Sequence, residues 1–284
     1  MAIVHDSIQC FQANNQKRIE SCEILAHYCD KSELFLVLGQ EPSTFGCGIT
    51  GLNNRHNKIH AVLERPRAYI YMHRDITAWP LDHLCSQDVA TALLDFKTEG
   101  QSKILLCSIY WDGRLESFPN EAIKAMKLAN DKGYIFLLGG DANAQNTIYG
   151  SSSTDKRGRI LEDILVANNL LTLNIGSVPT CTSGSSGSVI DVTAITSGLE
   201  NMVENWKVSK LNSESDHTII TFTLTVPKIE KKKRTVMSEK QKESFTSAVD
   251  QKAMEILEQC DKEHTNVLAL EKLTDIFTSG VLSI

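Results

Sequence analysis

The chain has 284 residues, of which 42% are hydrophobic and 23% are charged, and its formal net charge is −6. Its length suits one large domain or two small ones, no apolar run approaches the roughly 20 residues that a membrane span needs, and the first residues lack the pattern of a secretory signal peptide. The negative charge argues against nucleic-acid binding when taken alone, although carboxylates that hold a cation would count as negative in the same sum.

Short apolar runs alternate with amphipathic stretches up to about residue 226, and such alternation favours a mixed, layered α/β domain. The apolar runs predict strands, and the stretches with helical spacing predict helices. The predicted strands are 34–42, 68–73, 103–113, 134–143, 188–195 and 217–226. The predicted helices are 17–29, 87–99, 120–133 and 157–169, with Gly133 at the position of a helix C-cap.

The chain changes character after Val226. A charge-rich stretch, "PKIEKKKRT", is interpreted as a linker at 228–237, and residues 238–284 predict one or two amphipathic helices without a strand. The KKKR run has two interpretations, a solvated linker or a patch that directs nuclear import or contacts phosphates.

Cysteine spacing and motif searches exclude several chemistries. The eight cysteines include no CxxC pair, which argues against a zinc ribbon or a redox dithiol. Several lie in apolar runs, as Cys107 does, and this indicates a reducing compartment where cysteines serve as small hydrophobic residues. P-loop, HExxH and GxSxG motifs are absent from the sequence.

Polar side chains stand at the ends of the predicted strands. "LLGGDANAQ" passes directly from an apolar run to Asp141 and Asn143, whose two-residue spacing points both side chains the same way on an extended chain. A single such residue is usually a turn former or a cap, but recurrence at several strand ends indicates a shared polar site. The other members are Asn14, Glu41, Tyr110, Asp112, Asp191, Asp216 and His217.

This set of side chains suits the hydrolysis of a phosphodiester. Glu41 can supply a carboxylate to a hard divalent cation such as Mg²⁺, and the oxygen-rich set disfavours zinc. Asp141 can orient or deprotonate a water, and Asn143 can donate an amide hydrogen to the phosphate. A protonated His217 can stabilise developing charge, with Asp191 fixing its ring.

The ordered set resembles the endonuclease/exonuclease/phosphatase superfamily, which includes pancreatic deoxyribonuclease, exonuclease III and the apurinic/apyrimidinic endonucleases. The family signature runs from an early Asn through QE, a strand-end Tyr, GDxN and a buried Asp to SDH. The resemblance implies a four-layer α/β sandwich of two mixed sheets flanked by helices, with the site at one rim. The matches, in the same order over roughly residues 8–226, are Asn14, Gln40, Glu41, Tyr110, Asp141, Asn143, Asp191, Ser215, Asp216 and His217.

The resemblance narrows to one branch of the superfamily. "GGDANAQNTIYGSSSTDKRGRILEDIL", followed by "PTCTS" and "SVIDVT", is similar to the endonuclease domain of non-LTR retrotransposons of the Jockey-like and related insect groups. That branch nicks target DNA so that the new 3′ end primes reverse transcription. Gln16 stands where repair enzymes carry an acidic residue, which disfavours abasic-site repair. Trp111 after Tyr110, and PTC in place of PTF, depart from the family pattern without touching the central acids.

The resemblance also implies roles for the matching positions. Glu41, with Asn14 and Asp216, would hold the metal. The implied substrate-binding residues are Thr180, Asn143 and Arg157. Loop cations that could also grip the DNA backbone are Arg55, Lys58, Lys156, Arg157 and Arg159, each equally well explained as solubilising charge. The implied catalytic residues are Asp141, Asn143, His217, Asp191 and Tyr110.

Cofactor and partners follow from the same resemblance. Mg²⁺ is the implied cofactor, with Mn²⁺ not distinguished from it, and double-stranded DNA is the implied substrate in the nucleus. The chain carries no YxDD motif of a reverse transcriptase. A reverse transcriptase domain missing from this chain, and the element RNA, are therefore the implied partners, and the helical tail would lead toward that domain.

Two other functions stay open at this point. One is a phosphatase or phosphodiesterase of the same fold that acts on small phosphoesters, and it would release phosphate from inositol phosphates without nicking plasmid DNA. The other is a catalytically inactive binding module. The intact polar set argues against the inactive module, since drift is expected to break at least one member.

Overall fold

The computed structural model describes residues 5–62, 65–94, 103–183 and 186–227. The helices in these ranges are α1 (Ile19–Asp30), α2 (Asn120–Lys132) and α3 (Lys156–Ala167), with 3₁₀ turns at Asp82–Leu84, Thr147–Tyr149 and Glu200–Met202. The strands are β1 (His5–Asn14), β2 (Phe35–Gln40), β3 (Thr44–Phe45), β4 (Gly48–Ile49), β5 (Asn57–Ile59), β6 (Ala68–Met72), β7 (Ala78–Pro80), β8 (Val89–Leu94), β9 (Ile104–Tyr110), β10 (Ile135–Asp141), β11 (Leu170–Thr172), β12 (Cys181–Ser183), β13 (Ser186–Ser188), β14 (Asp191–Thr196), β15 (Val203–Val208) and β16 (Ile220–Pro227).

Two six-stranded mixed sheets form the body of the described chain, in the orders β15-β16-β1-β2-β6-β5 and β11-β14-β10-β9-β8-β7. In each sheet the two central strands are parallel, β1 with β2 and β9 with β10, and the other neighbours are antiparallel. The helix α1 connects the first parallel pair and α2 connects the second. Each sheet is therefore centred on a β-α-β unit, because parallel neighbours need a crossover connection.

Apolar side chains on the facing sides of the two sheets form the central core. Leu36 and Leu38 of β2 and Leu106 of β9 are fully buried in this layer. On the outer face of the first sheet, α1 packs through Cys22 and Leu25, while α2 and α3 cover the outer face of the second sheet. The order helix, sheet, sheet, helix confirms the four-layer α/β sandwich.

The helix predicted at 87–99 is wrong. Val89–Leu94 form β8, which pairs antiparallel with β7 and β9. Ala90, Ala92 and Leu94 face the core between the sheets, and apolar residues at alternate positions pack on the helix side. Because both faces of this strand are buried, the segment is apolar apart from Thr91, and periodicity alone does not separate such a strand from a helix.

The other predicted helices are confirmed, as α1, α2 and α3. Gly133 follows α2 with a φ of +64°, the left-handed conformation that glycine adopts at low cost after a helix. Asp155 precedes α3, and its side chain accepts the Gly158 N–H at 2.6 Å. All three helices are too short or too polar to span a bilayer. The linker predicted at 228–237 and the helical tail at 238–284 lie outside the described residues.

Buried cysteines confirm that thiols fill the core. Cys10 lies between the two sheets, Cys22 and Cys29 lie on the buried face of α1, and Cys107 lies under α2, all at 0% exposure. Burial raises the pKa of Cys22 to about 11, so this thiol stays protonated at neutral pH and packs as a small apolar group.

Candidate active site

The carboxyl ends of the two central parallel pairs meet at one rim of the sandwich. β1 ends at Asn14 and β2 ends one residue before Glu41, in the register Asn14 to Gln40. In the second sheet Asp141, at the end of β10, is paired with Tyr110 of β9. Ligand sites of open α/β sheets lie beyond the carboxyl ends of their strands, and here two such ends face each other.

A single amide joins the two sheets at this rim. Asn14 is 2% exposed, and its Nδ2 donates to Oδ2 of Asp141 at 3.0 Å and to Oε2 of Glu41 at 3.3 Å. Its Oδ1 accepts the backbone N–H of Gln16 at 2.9 Å. The amide therefore fixes the positions of two carboxylates that belong to different sheets.

His217 lies between two aspartates. Its Nδ1 is 3.0 Å from Oδ2 of Asp191, and its Nε2 is 3.8 Å from Oδ2 of Asp141. All three residues are buried. Asp191 begins β14 and is the register partner of Asp141, so strand pairing alone sets the separation of the two acids.

The charges of this triad are mutually dependent. The pKa of Asp141 is raised to about 7 in total. Burial is the largest cause and the Asp191 carboxylate adds to it, while the His217 charge opposes the shift. Burial of the His217 ring acts to lower its pKa, but the Asp191 carboxylate outweighs it through charge and a hydrogen bond, so the pKa rises to about 12. His217 is therefore an imidazolium at neutral pH, and a protonated ring has no lone pair for a metal. Ligand atoms of the three residues lie within 4.8 Å of one another, so the triad also has the spacing to hold a cation, for which the ring would release its proton.

Asn143 stands directly beyond Asp141. Its φ is +44°, a conformation in which asparagine is enriched among non-glycine residues, and its backbone N–H donates to Oδ1 of Asp141 at 2.9 Å. Its side-chain Nδ2 donates to the backbone oxygen of Trp111 at 3.2 Å. The half-buried amide thus lies at the mouth of the site, beside the loop that follows β9.

Tyr110 is half-buried at the end of β9. Burial raises the pKa of its phenol, and the carboxylates of Glu41, Asp141 and Asp112 raise it further. The guanidinium of Arg67 lies 5.3 Å from the ring centre. The phenol is therefore neutral and able to donate a hydrogen bond at this rim.

Glu41 is the carboxylate best placed to hold a cation. One of its oxygens receives the Asn14 amide, and Oε1 lies 3.1 Å from Nζ of Lys17. The Lys17 ammonium thus places a positive charge next to this carboxylate. An oxygen donor that already faces a cation fits Mg²⁺ or Mn²⁺ in its chemistry.

The turn that carries Asp216 is anchored to β1. Ser215 Oγ donates to the backbone oxygen of Asn14 at 2.8 Å and accepts the His217 N–H at 3.2 Å. Asp216 itself is exposed, and its carboxylate accepts the Gln16 amide at 3.0 Å. Metal support by Asp216 stays a prediction, whereas Ser215 has a positioning role that the SDH motif alone did not reveal.

Thr180 does not have the position of a DNA contact. It is 0% exposed, and its hydroxyl accepts the backbone N–H groups of Ile190 and Asp191, both at 3.1 Å. A buried hydroxyl with these partners fixes the start of β14 and has no access to a DNA strand in this conformation.

The guanidinium of Arg157, another predicted substrate-binding group, is likewise occupied by the protein itself. Its guanidinium donates to five backbone oxygens, which are those of Trp111, Asp112, Leu115, Ala142 and Asn143. The guanidinium also lies 3.7 Å from the centre of the Trp111 ring. Since an arginine has five N–H donors, this side chain joins the loops after β9 and β10 and has no donor left for a phosphate.

The other loop cations are dispersed. Arg55 pairs with Asp30 at 2.8 Å, near the start of β2 and so at the opposite end of the strand from Glu41. Lys58 donates to Asn54. Lys156 lies 3.6 Å from Glu116, with both side chains highly exposed, and remains a candidate for a phosphate contact, as does the exposed Arg159.

A buried polar layer lies one step beneath the rim, and sequence reasoning missed it. Gln12 accepts the Thr193 hydroxyl at 2.8 Å and donates to the Gly140 oxygen at 3.3 Å. Gln40 donates to Ser108 Oγ at 2.9 Å. These bonds cross from one sheet to the other. The available signal was the spacing, because Gln12 and Ser108 each precede a rim residue by two positions and so share its face.

Comparisons with known proteins agree with this fold. Residues 104–221 match the sequence model of a family described as endonuclease-reverse transcriptase. The fold is similar to the endonuclease domain of TRAS1, a telomere-specific non-LTR retrotransposon, with a TM-score of 0.63 and 24% identity over 76% of this chain and 98% of that chain. No curated protein sequence matches the chain significantly.

Two further solved structures share the fold at lower identity. The AP endonuclease LMAP from Leishmania major has a TM-score of 0.58 and 12% identity, covering 78% of this chain and 88% of its own. The catalytic domain of Xenopus laevis APE2 has a TM-score of 0.52 and 11% identity, covering 78% and 94%. Together with the matched family model, these likenesses confirm the resemblance that the ordered motifs predict.

Proposed function

We propose that this chain is the endonuclease domain of a non-LTR retrotransposon and that it nicks double-stranded DNA to leave a 3′-OH primer for reverse transcription. One observation carries the proposal: a buried imidazolium, two aspartates and a fixed glutamate converge at one rim of a fold shared with DNA-acting nucleases. The match of residues 104–221 to an endonuclease-reverse transcriptase family supports the same function.

The residues divide the work of hydrolysis among them. Asp141, with its pKa raised to about 7, accepts a proton from the attacking water at neutral pH. Asn143 donates its amide hydrogen to a non-bridging phosphate oxygen, and the His217 imidazolium stabilises the charge that develops there. The neutral Tyr110 phenol donates to the same phosphate or to the leaving oxygen. The new P–O bond forms as the bond to O3′ breaks, and O3′ leaves as a hydroxyl after taking a proton from solvent water.

Glu41, oriented by Asn14, would hold a divalent cation. When bound, Mg²⁺ or Mn²⁺ supplies charge neutralisation at the phosphate and the leaving oxygen. The remaining partners follow from the reaction: DNA in the nucleus, a reverse transcriptase domain that extends the new end, and the element RNA that serves as its template.

Plasmid nicking tests the proposal. Supercoiled plasmid incubated with the chain and Mg²⁺, or with Mn²⁺ in parallel, should become nicked circles whose ends a DNA polymerase extends without prior phosphatase treatment. His217→Ala and Asp141→Ala should abolish nicking. The exposed residues His27 and Asp163 provide the matched controls His27→Ala and Asp163→Ala, which should nick at the wild-type rate.

Two outcomes would reject the proposal. Undiminished nicking by both site variants would show that the reaction occurs elsewhere. Phosphate release from inositol phosphates with no plasmid nicking would instead identify a phosphatase of the same fold.

A further inference from the structure

Lys17 is a charged residue at the rim that the proposed hydrolysis does not use. Its Nζ lies 3.1 Å from Oε1 of Glu41, and its backbone N–H donates to the Glu41 carbonyl at 2.7 Å. Gln16 and Lys17 both have positive φ, +48° and +60°, which turns the chain after β1 back toward the end of β2. Side chain and backbone thus both connect Lys17 to the same residue.

The two members of this ion pair differ in freedom. The Glu41 side chain is 13% exposed and is fixed by Asn14, whereas the Lys17 side chain is 67% exposed. The free-energy cost for an exposed lysine to exchange one ion-pair partner for another is small, because its ammonium is rehydrated and its side chain is flexible. A carboxylate that is fixed in place stays where it is when the lysine leaves.

An ammonium and a divalent cation compete for the same carboxylate. Two positive charges a few ångströms apart repel each other, and the divalent ion gains more from Glu41 than the monovalent ammonium does. A bound metal at Glu41 therefore expels Lys17 from Oε1. The released ammonium lies at the rim where the proposed function brings a chain of phosphates.

We propose that Lys17 is an exchangeable counter-ion. It neutralises Glu41 when no metal is bound and moves to a DNA phosphate when a divalent cation takes its place. This inference rests on the proposed function for the identity of the metal and the phosphate. The exchange couples the two binding events. Metal binding frees Lys17 to contact a DNA phosphate, and DNA binding holds Lys17 away from Glu41, where it would compete with the metal.

Metal affinity without DNA is the first test. Free Mn²⁺, followed by electron paramagnetic resonance during titration of the chain, reports binding without any activity. Lys17→Met should bind Mn²⁺ about two- to five-fold more tightly than wild type, the range expected for losing an exposed ion pair, and Lys17→Arg should bind as wild type does. Lys124→Met is the matched control, because Lys124 is also an exposed lysine paired with a glutamate, at 3.8 Å on α2.

The salt dependence of DNA binding is the second test. Fluorescence anisotropy with a labelled duplex is measured in a His217→Ala background, in EDTA and in Mn²⁺. In the protein that keeps Lys17, the logarithm of the DNA association constant is plotted against the logarithm of salt concentration. The slope of this plot should steepen by about 0.9 when Mn²⁺ replaces EDTA, the value for one extra phosphate contact. With Lys17→Met added, the slope should be the same in both conditions.

The outcomes separate this inference from the proposed function. If the wild-type chain nicks DNA but Lys17→Met binds Mn²⁺ with unchanged or weaker affinity, the counter-ion role is overturned and the endonuclease proposal stands. Equal salt slopes in EDTA and Mn²⁺ with Lys17 present overturn the transfer to phosphate. Absence of nicking by the wild-type chain counts against the endonuclease itself, whatever Lys17 does.

Discussion

The ring nitrogen Nδ1 of His217 lies 3.0 Å from a carboxylate oxygen of Asp191. The two residues come from an antiparallel strand of the second sheet and from the turn before the last strand of the first sheet, so this one contact spans the sandwich. It fixes the orientation of the ring and keeps it charged. Several properties of the site depend on it, and they can be measured separately.

Removing the Asp191 charge should disable the site without unfolding it. In Asp191→Asn the main cause of the raised His217 pKa is gone, so the imidazolium is lost near neutral pH. We expect the nicking rate to fall about 10²- to 10⁴-fold, with residual activity that decreases as pH rises through about 6 to 7. Single-turnover nicking across pH 5–8, with the exposed Asp163→Asn as control, checks this; a wild-type profile in Asp191→Asn would contradict it.

The raised pKa of Asp141 predicts a pH-dependent stability of the metal-free protein. Its folded pKa, about 7, lies above the unfolded value of about 3.9, so the folded state binds more protons between these values. Stability should therefore fall as pH rises from about 4 to 7, with the full penalty present above 7.

Asp141→Asn should remove this decline. Urea unfolding in EDTA at pH 5 and pH 8 should show the variant gaining more stability relative to wild type at pH 8 than at pH 5. Saturating Mg²⁺ should reduce the gain if the cation neutralises the carboxylates. An identical pH dependence in both proteins would exclude a raised Asp141 pKa.

Arg157 should be a stability determinant rather than a DNA contact. Arg157→Met leaves five backbone oxygens of two loops without their shared donor. We expect a loss of about 2–4 kcal/mol in the free energy of unfolding. The neighbouring Lys156→Met, which removes an exposed charge, should cost less than about 0.5 kcal/mol. A selective loss of DNA affinity in Arg157→Met at unchanged stability would reverse the assignment.

Gly139 should tolerate no side chain. A Cβ at this position would lie 2.6 Å from Cδ1 of Leu38 and 2.8 Å from Oε1 of Gln12, where the polar layer crosses between sheets. Gly139→Ala should destabilise the protein by about 1–3 kcal/mol, measured as a shift of the urea midpoint. Gly48→Ala, whose nearest contact would be 3.5 Å away, is the control and should change little.

Part of the site could be predicted from residue order alone. Glu41, Asp141, Asp191 and His217 are separated by long stretches of sequence, yet each adjoins an apolar run, and strand ends are where open α/β sheets place their ligands. The same reasoning failed at Val89–Leu94, because a strand buried on both faces carries no alternation. It also passed over β1, whose half-buried Gln9 and buried Gln12 interrupt its apolar pattern.

Polar residues were harder to assign than apolar ones. In the sequence, Thr180 and Arg157 both looked like loop residues available to contact DNA. In the structure, the side chains of both form hydrogen bonds with backbone groups of the protein. Which partners a donor finds depends on loops distant in sequence, and no local pattern encodes them.

The sequence by itself determined the layered α/β class, the positions of the three described helices and of six of the twelve strands in the two large sheets, and the inventory of oxygen-bearing side chains suited to a phosphoester. These follow from local physics, the periodicity of apolar residues and the chemistry of each side chain. Only the tertiary structure decided that two β-α-β units face each other and that Asn14 joins Glu41 to Asp141. The reason is that register and sheet packing are set by burying both apolar faces at once, a constraint shared by the whole chain.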